Sequence, residues 1–213
     1  MDKLKLFILS ESRKKIIPTF ISWKNEFYLA GGTGLALQIG HRDSVDFDFF
    51  SNNSFDPNKL IKRLSSIFGH TLFTVTQIEK NTLSILLNSE IKISFMTYDY
   101  PLLNSLIMTE FLNIASIPDI ACMKLSTIMQ RSALKDYIDL YEVMKMYSLE
   151  QLLSFSKKKY PMIDSTVILK SLSYLDDITD EPLIYKNEKF KPTITALKQF
   201  FQNEVKRYVN KII

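Results

Sequence analysis

Hydrophobic and polar positions alternate in the first half of the chain and repeat at helical spacing in the second. Val45 to Phe50 has period two, with Val45, Phe47 and Phe49 on a face toward a core and Asp46 and Asp48 together on the other. Leu72 to Glu79, Thr82 to Asn88 and Ile91 to Thr97 are separated only by the turns EKN and NSE. They predict an antiparallel meander, which joins the first strand in a small mixed sheet. In the last of these runs Ile91, Ile93 and Phe95 share one face, and Lys92, Ser94 and Met96 share the other. Leu60, Ile61, Leu64 and Phe68 form a helical stripe opened by Asp56 and Pro57 and stopped by Gly69. A looser helical pattern, expected to pack beside the sheet, runs from about Asp2 to Ile17, where Pro18 ends or kinks it. Beyond Ser116 every predicted element is helical. Pro118 opens one helix, and Ala133 to Tyr147 forms the next. Ser148 and Gln151 make a capping box for a helix ended by KKKYP, and Ser165 to Leu175 and Thr193 to Ile213 follow, separated by the acidic loop DDITDEP. The order predicts an α/β (α+β) fold, with a sheet-bearing domain over residues 1–115 and a helical one over residues 116–213.

Composition narrows the class. With 46% hydrophobic residues the 213-residue chain has ample material for a core. No apolar run reaches the length of a membrane span, and charges interrupt the opening MDKLKLFILSESRKK, which reads as an amphipathic helix rather than a signal peptide. A cytoplasmic protein without a membrane partner is expected. Cys122 is the only cysteine, which excludes an intrachain disulfide and a cysteine-rich zinc site, and its apolar helix makes it a buried thiol. A net charge of +4 is compatible with nucleotide or RNA binding without requiring it. His41 and His70 stand alone and are given no role.

The candidate chemistry lies upstream of the meander. Tyr28 to Ala30 reads as the end of a strand, Gly31 and Gly32 as a turn, and Thr33 to Gly40 as a short helix. The free N–H groups at the start of that helix would receive a phosphate against Gly32 and Thr33, with the threonine hydroxyl as a further donor. Asp46 and Asp48 are about 7 Å apart on one strand face, where they repel each other. Either solvent or a divalent cation relieves them, and the glycine turn one helix upstream favours the cation, because together they suit Mg2+-nucleotide chemistry. Competing phosphate motifs are absent: there is no GxxxxGK[ST], and GTGLAL lacks the third glycine of a dinucleotide fingerprint. Lys124 and Arg131, seven positions apart, fall on one helical face, which serves an anionic substrate or is simply solvated. Lys157 to Lys159, Lys206, Arg207 and Lys211 would grip an RNA backbone or form solvated faces.

Gly31-Gly32-Thr33 followed by Arg42-x-Ser44-x-Asp46-x-Asp48-Phe49-Phe50 resembles the first motif of nucleotidyltransferases with the DNA polymerase beta fold, in particular the AbiEii toxin group of toxin-antitoxin systems. The resemblance continues through Tyr98 to Leu103, PDIACMKL from Pro118, Arg131 and KDYIDLY, covering roughly Trp23 to Tyr147. It implies a polymerase-beta-like fold in which residues 1–115 are the catalytic domain and residues 116–213 complete the active-site cleft. It further implies transfer of a nucleoside monophosphate from an NTP to an acceptor hydroxyl, an RNA such as a tRNA end, with Mg2+ or Mn2+ on Asp46 and Asp48. Gly31, Gly32, Thr33, Arg42, Ser44, Ser94, Lys124 and Arg131 would then bind the nucleotide. Asp136 or Asp139 would orient Lys124 or Arg131 or assist deprotonation of the acceptor, unless they are only an acid pair favoured by the helix dipole. A cognate antitoxin is the implied protein partner. The family usually carries a third metal-binding aspartate where this chain has Ser94. That departure keeps open a descendant that binds a nucleotide or partner without turnover; a small-molecule transferase of the antibiotic-modifying kind is a third reading.

Overall fold

The computed structural model describes residues 4–69, 72–178, 183–185 and 191–212. They form two units, one comprising Met1–Pro101 and Ser105–Ser116, the other Leu102–Asn104 and Ile117–Ile213.

The first unit is built on a seven-stranded mixed sheet. Its strands are β1 (Tyr28–Leu29), β2 (Phe47–Ser51), β3 (Phe73–Glu79), β4 (Thr82–Leu87), β5 (Ile91–Thr97), β6 (Ile107–Met108) and β7 (Asn113–Ile114), ordered β3-β4-β5-β2-β1-β7-β6. The β3-β4-β5 meander is antiparallel, as its alternation predicts, and its turns place Asn81, Asn88 and Ser89 at positive φ. Asparagine tolerates that conformation better than most residues. At the centre β2 runs parallel to β5 and antiparallel to β1. One face of β2 carries Phe47 and Phe49 into a core of buried aromatic rings. Phe20 meets Phe47 at 4.9 Å and Phe49 at 5.1 Å between centroids, and Trp23 meets Phe95 at 5.4 Å. Edge-to-face packing of this kind adds to the burial that holds the sheet. Helix α3 (Pro57–Phe68) starts and stops where the sequence indicates, with Asp56 Oδ1 accepting the Asn58 N–H at 2.9 Å and Gly69 ending it at φ +85°.

Several expectations are corrected. Residues 4–22 form no single helix. They contain a 3-10 turn at Leu6–Ile8, helix α1 (Glu11–Ile16) capped by Ser10, and a second 3-10 turn at Ile17–Ser22; Asp2 and Lys3 lie outside the described residues. Val45 is 54% exposed rather than in the core, because its carbonyl leaves the ladder to accept Arg13 Nε at 2.9 Å. The strand therefore begins two residues later than the alternation suggests. Helix α2 (Gly31–Ile39) includes both glycines instead of starting at Thr33. The two-residue strands β6 and β7 are too short for any period to show.

The second unit consists of α4 (Ile117–Ile128), α5 (Leu134–Val143), α6 (Leu149–Lys159), α7 (Ser165–Ser173) and α8 (Ile194–Ile212) among the described residues. His70 and residues 179–182 of the DDITDEP loop lie outside them. Helix α4 is buried along most of its length and packs against α5, α6 and α7. From α8, Phe201 reaches Tyr137 at 5.8 Å and Phe200 reaches Tyr141 at 4.8 Å. The capping box of Ser148 and Gln151 opens α6 as its sequence indicates. No helix among the described residues is long and apolar enough to cross a membrane.

Cys122 lies fully buried on α4, and its burial pushes the thiol from 9.0 to about 11. A folded-state value raised in this way adds stability below the unfolded value and loses it as pH rises through the folded one. The native protein should resist thiol alkylation at pH 8, and its unfolding midpoint should fall between about pH 9 and 11. The fall should be smaller in Cys122→Ala, as denaturant titration across that range will show.

Candidate functional site

Gly31 opens α2 at φ +60°, a conformation that side chains with a Cβ rarely adopt. The reason for two glycines is visible in what lies over them. A Cβ on Gly31 would stand 2.8 Å from Asp48 Oδ2, and one on Gly32 would strike the Arg42 guanidinium and approach Ser44 Oγ to 3.3 Å. The turn is bare so that a carboxylate, a guanidinium and a hydroxyl can close upon its backbone. The first bond of the helix runs from the Gly34 N–H to the Ala30 carbonyl at 2.9 Å, so the N–H groups of residues 31–33 precede the ladder.

The Thr33 hydroxyl, expected as a further phosphate donor, is engaged within the fold. It is buried and bonds Ser44 Oγ at 2.8 Å and the carbonyl oxygen of Asp46. A hydroxyl has one proton, and here it is directed inward, where it ties the approach to β2 onto α2. Arg42 is also buried, with Nη1 donating to the Asp43 carbonyl at 2.9 Å. Asp46 and Asp48 are half-buried. Asp48 lies directly across the parallel ladder from Ser94, so both side chains leave the same face of the sheet. Ser94 is buried and accepts a hydrogen bond from Ser84 Oγ at 3.2 Å.

Among the described residues no group of three or more His, Cys, Asp or Glu stands close enough to hold an ion alone. Two half-buried carboxylates nevertheless fit Mg2+, which usually takes one or two protein carboxylates and completes its shell with substrate phosphates and water.

The helical unit holds a separate charge cluster. Lys124 Nζ lies 2.7 Å from Asp136 Oδ1 and 2.6 Å from Asp139 Oδ2, and all three side chains are almost wholly buried. Arg131 Nε meets Asp136 Oδ2 at 2.9 Å with its side chain 56% exposed. In these three contacts two cations meet two carboxylates. Arg131 does not share a helical face with Lys124, because α4 ends at Ile128; the two meet instead through Asp136. Lys124 is thus engaged by two acids, and Arg131 is the cation of this cluster with exposed surface.

A second buried pair was not anticipated. Lys159 Nζ lies 2.8 Å from Asp119 Oδ1 with both side chains fully buried. Asp119 also accepts the N–H groups of Leu103 at 2.9 Å and Asn104 at 3.3 Å, tying that segment to α4. Lys159 is therefore no part of a basic RNA-binding face. Its phase shows this: Leu152, Ser156 and Lys159 fall on one buried stripe of α6.

The sequence matches the family described as "Nucleotidyl transferase AbiEii toxin, Type IV TA system" over residues 19–186. It is 39% identical over 208 residues to an uncharacterized protein of Aquifex aeolicus (strain VF5), covering 93% of this chain and 95% of that one. The fold is similar to that of MenT4, nucleotidyltransferase toxin Rv2826c from Mycobacterium tuberculosis H37Rv, with a TM-score of 0.61 and 14% identity over 91% of this chain and 80% of that one. A candidate nucleotidyltransferase from H. pylori has a TM-score of 0.56 and 19% identity, covering 94% of this chain and 99% of that one.

Removing one member of a buried ion cluster leaves its partners charged and unpaired. Lys124→Met should lower stability by about 3–5 kcal/mol at neutral pH, whereas Arg131→Ala, at a half-exposed position, should cost only about 1 kcal/mol or less. Urea denaturation of the two variants, analysed at equal slope, measures the difference.

Proposed function

Because the chain belongs to the AbiEii nucleotidyltransferase toxin family, we propose that it binds an NTP on the first unit and transfers the nucleoside monophosphate to an RNA hydroxyl. The observation that carries this reading is the Asp48 carboxylate lying on the left-handed Gly31 at the open end of α2. That arrangement sets a metal ligand beside helix N–H groups that precede the backbone ladder, the two features a metal-bound triphosphate requires. The phosphates would meet the N–H groups of Gly31, Gly32 and Thr33, with Arg42 and Ser44 holding the backbone of the turn in place. In the reaction the acceptor oxygen bonds to the α-phosphorus, the α–β phosphoanhydride breaks, and pyrophosphate leaves with the electron pair. The chemistry supplied by Mg2+, or Mn2+ in its place, bound through Asp46 and Asp48, is neutralisation of the charge on the phosphates. Arg131, the cation of the Lys124 cluster with exposed surface, would meet an anionic substrate, while Asp136 and Asp139 position Lys124. A tRNA end as acceptor, a cytoplasmic site of action, toxicity to the host cell and restraint by a cognate antitoxin complete the proposal. Ser94 favours a second reading, in which nucleotide is bound but turned over slowly, because a hydroxyl brings no charge to a metal.

Asp48→Asn keeps the shape of the side chain and removes its charge, so it should reduce NMP transfer at least about 100-fold, on the scale of losing a principal electrostatic contact in a transition state. Incubating cellular RNA with each NTP and Mg2+, followed by mass spectrometry, reads the product directly. Retention of native transfer by this variant would remove the site from the reaction.

Ser94→Asp should place a second carboxylate across the ladder from Asp48, about 4.8 Å away between strands. The metal concentration for half-maximal transfer should fall and the rate at limiting metal should rise. An unchanged metal titration in a folded variant would show that position 94 takes no part in metal binding.

A further inference from the structure

The face of β2 that carries Asp48 also carries Phe50, and from Phe50 an aromatic row extends away from the carboxylate. Tyr28, the β1 partner of Phe50, lies beside it with ring centroids 6.2 Å apart and planes 30° from parallel. On the other side Tyr98 packs edge-on to Phe50 at 5.6 Å, and Tyr100 meets Tyr98 at 5.0 Å. The row is held by backbone bonds. The Tyr98 N–H donates to the Ser51 carbonyl at 2.8 Å, prolonging the β2-β5 ladder by one step. The Tyr100 N–H donates to the Tyr98 carbonyl at 2.9 Å, and Asn52 Nδ2 donates to the Tyr100 carbonyl at 3.2 Å. Burial falls along the row: Tyr28 is buried, Phe50 and Tyr98 are half-buried, and Tyr100 is 44% exposed.

The core does not account for this row, because it lies on the opposite face of the sheet from Phe47, Phe49 and Phe95. Aromatic rings fixed by the ends of the central strands and graded toward solvent make a platform for a flat ring. The strand geometry sets Phe50 about 7 Å from Asp48 along the same face, roughly the reach from a phosphate to the base of its own or the next nucleotide. We infer that Phe50, Tyr98 and Tyr100 form a stacking subsite for a nucleobase. This inference rests on the nucleotide reading of Asp48. The base belongs either to the bound NTP or to the end of a single-stranded RNA acceptor; stacking on aromatic rings tolerates both.

Fluorescence of 2-aminopurine, which stacking quenches, separates these sources. One probe is 2-aminopurine riboside triphosphate, and the other is a short single-stranded RNA ending in 2-aminopurine. The full-length protein should quench one of them, and that probe identifies the occupant. Tyr98→Leu and Tyr100→Leu should abolish the quenching and weaken binding of that probe roughly tenfold, within the range for loss of one stacking aromatic. Tyr98→Phe and Tyr100→Phe should retain both. Tyr100 is exposed enough that its leucine variant will fold, which thermal unfolding confirms. If the native protein quenches neither probe, or the leucine variants bind and quench as the native protein does, the stacking subsite is overturned. NMP transfer by Asp48→Asn is measured in the same preparations. Loss of transfer in Asp48→Asn with no effect of the leucine variants rejects the stacking subsite alone, whereas absence of any transfer by the native protein rejects the nucleotidyl-transfer reading itself.

Discussion

The turn from β1 into α2 depends on a close approach between a backbone and a carboxylate: Asp48 lies over Gly31 at a distance no Cβ would permit. Much of the local architecture follows from it. A left-handed residue is required to turn the chain from β1 into α2, and the absence of side chains at two successive positions lets Asp48 and Arg42 close from above. Thr33 then ties the carbonyl of Asp46 to the same helix, and Arg13 takes the carbonyl of Val45. These two bonds make the strand begin at Phe47 and fix where Asp48 leaves it. Position and chemistry are therefore set by one knot of backbone, rather than by the sheet as a whole.

The helical unit is organised by a different device. Its buried charges meet opposite charges, Lys159 with Asp119 and Lys124 with Asp136 and Asp139, the first of which also meets Arg131. Burying an ion pair is seldom a large net gain in stability, since desolvation offsets most of the attraction. Such groups do penalise wrong arrangements heavily, because a helix displaced by one turn would strand a charge in an apolar interior. Asp119 adds a role for the short segment Leu102–Asn104 of the same unit, holding the N–H groups of Leu103 and Asn104 by the same carboxylate that meets Lys159.

Elements whose signals are local were legible in the sequence. Asp56, Pro57 and Gly69 delimit α3, Ser148 and Gln151 open α6, and the alternation of Ile91, Ile93 and Phe95 gives both β5 and its buried face. The glycines at positions 31 and 32 marked the turn, though not that Asp48 and Arg42 are the reason for them. What failed to show was determined by groups far apart in the chain. Lys159 reads as one of three solvated lysines until Asp119, 40 positions away, is placed beside it. Arg131 and Lys124 look like one helical face only if the helix continues, and α4 stops between them. Val45 looks like a core residue because alternation counts side chains and takes no account of a carbonyl claimed by Arg13.

The pairing of charges around Lys124 also shapes how this chain can diverge. Loss of either buried carboxylate leaves an excess of positive charge, and loss of Lys124 leaves two acids facing each other, so no single exchange among these three crosses to an equally stable neighbour. Viable lineages must change a cation and an anion together, or first soften the site through Arg131, whose charge reaches water. Drift at these positions should therefore appear as coordinated replacement, with Arg131 the most variable of the four.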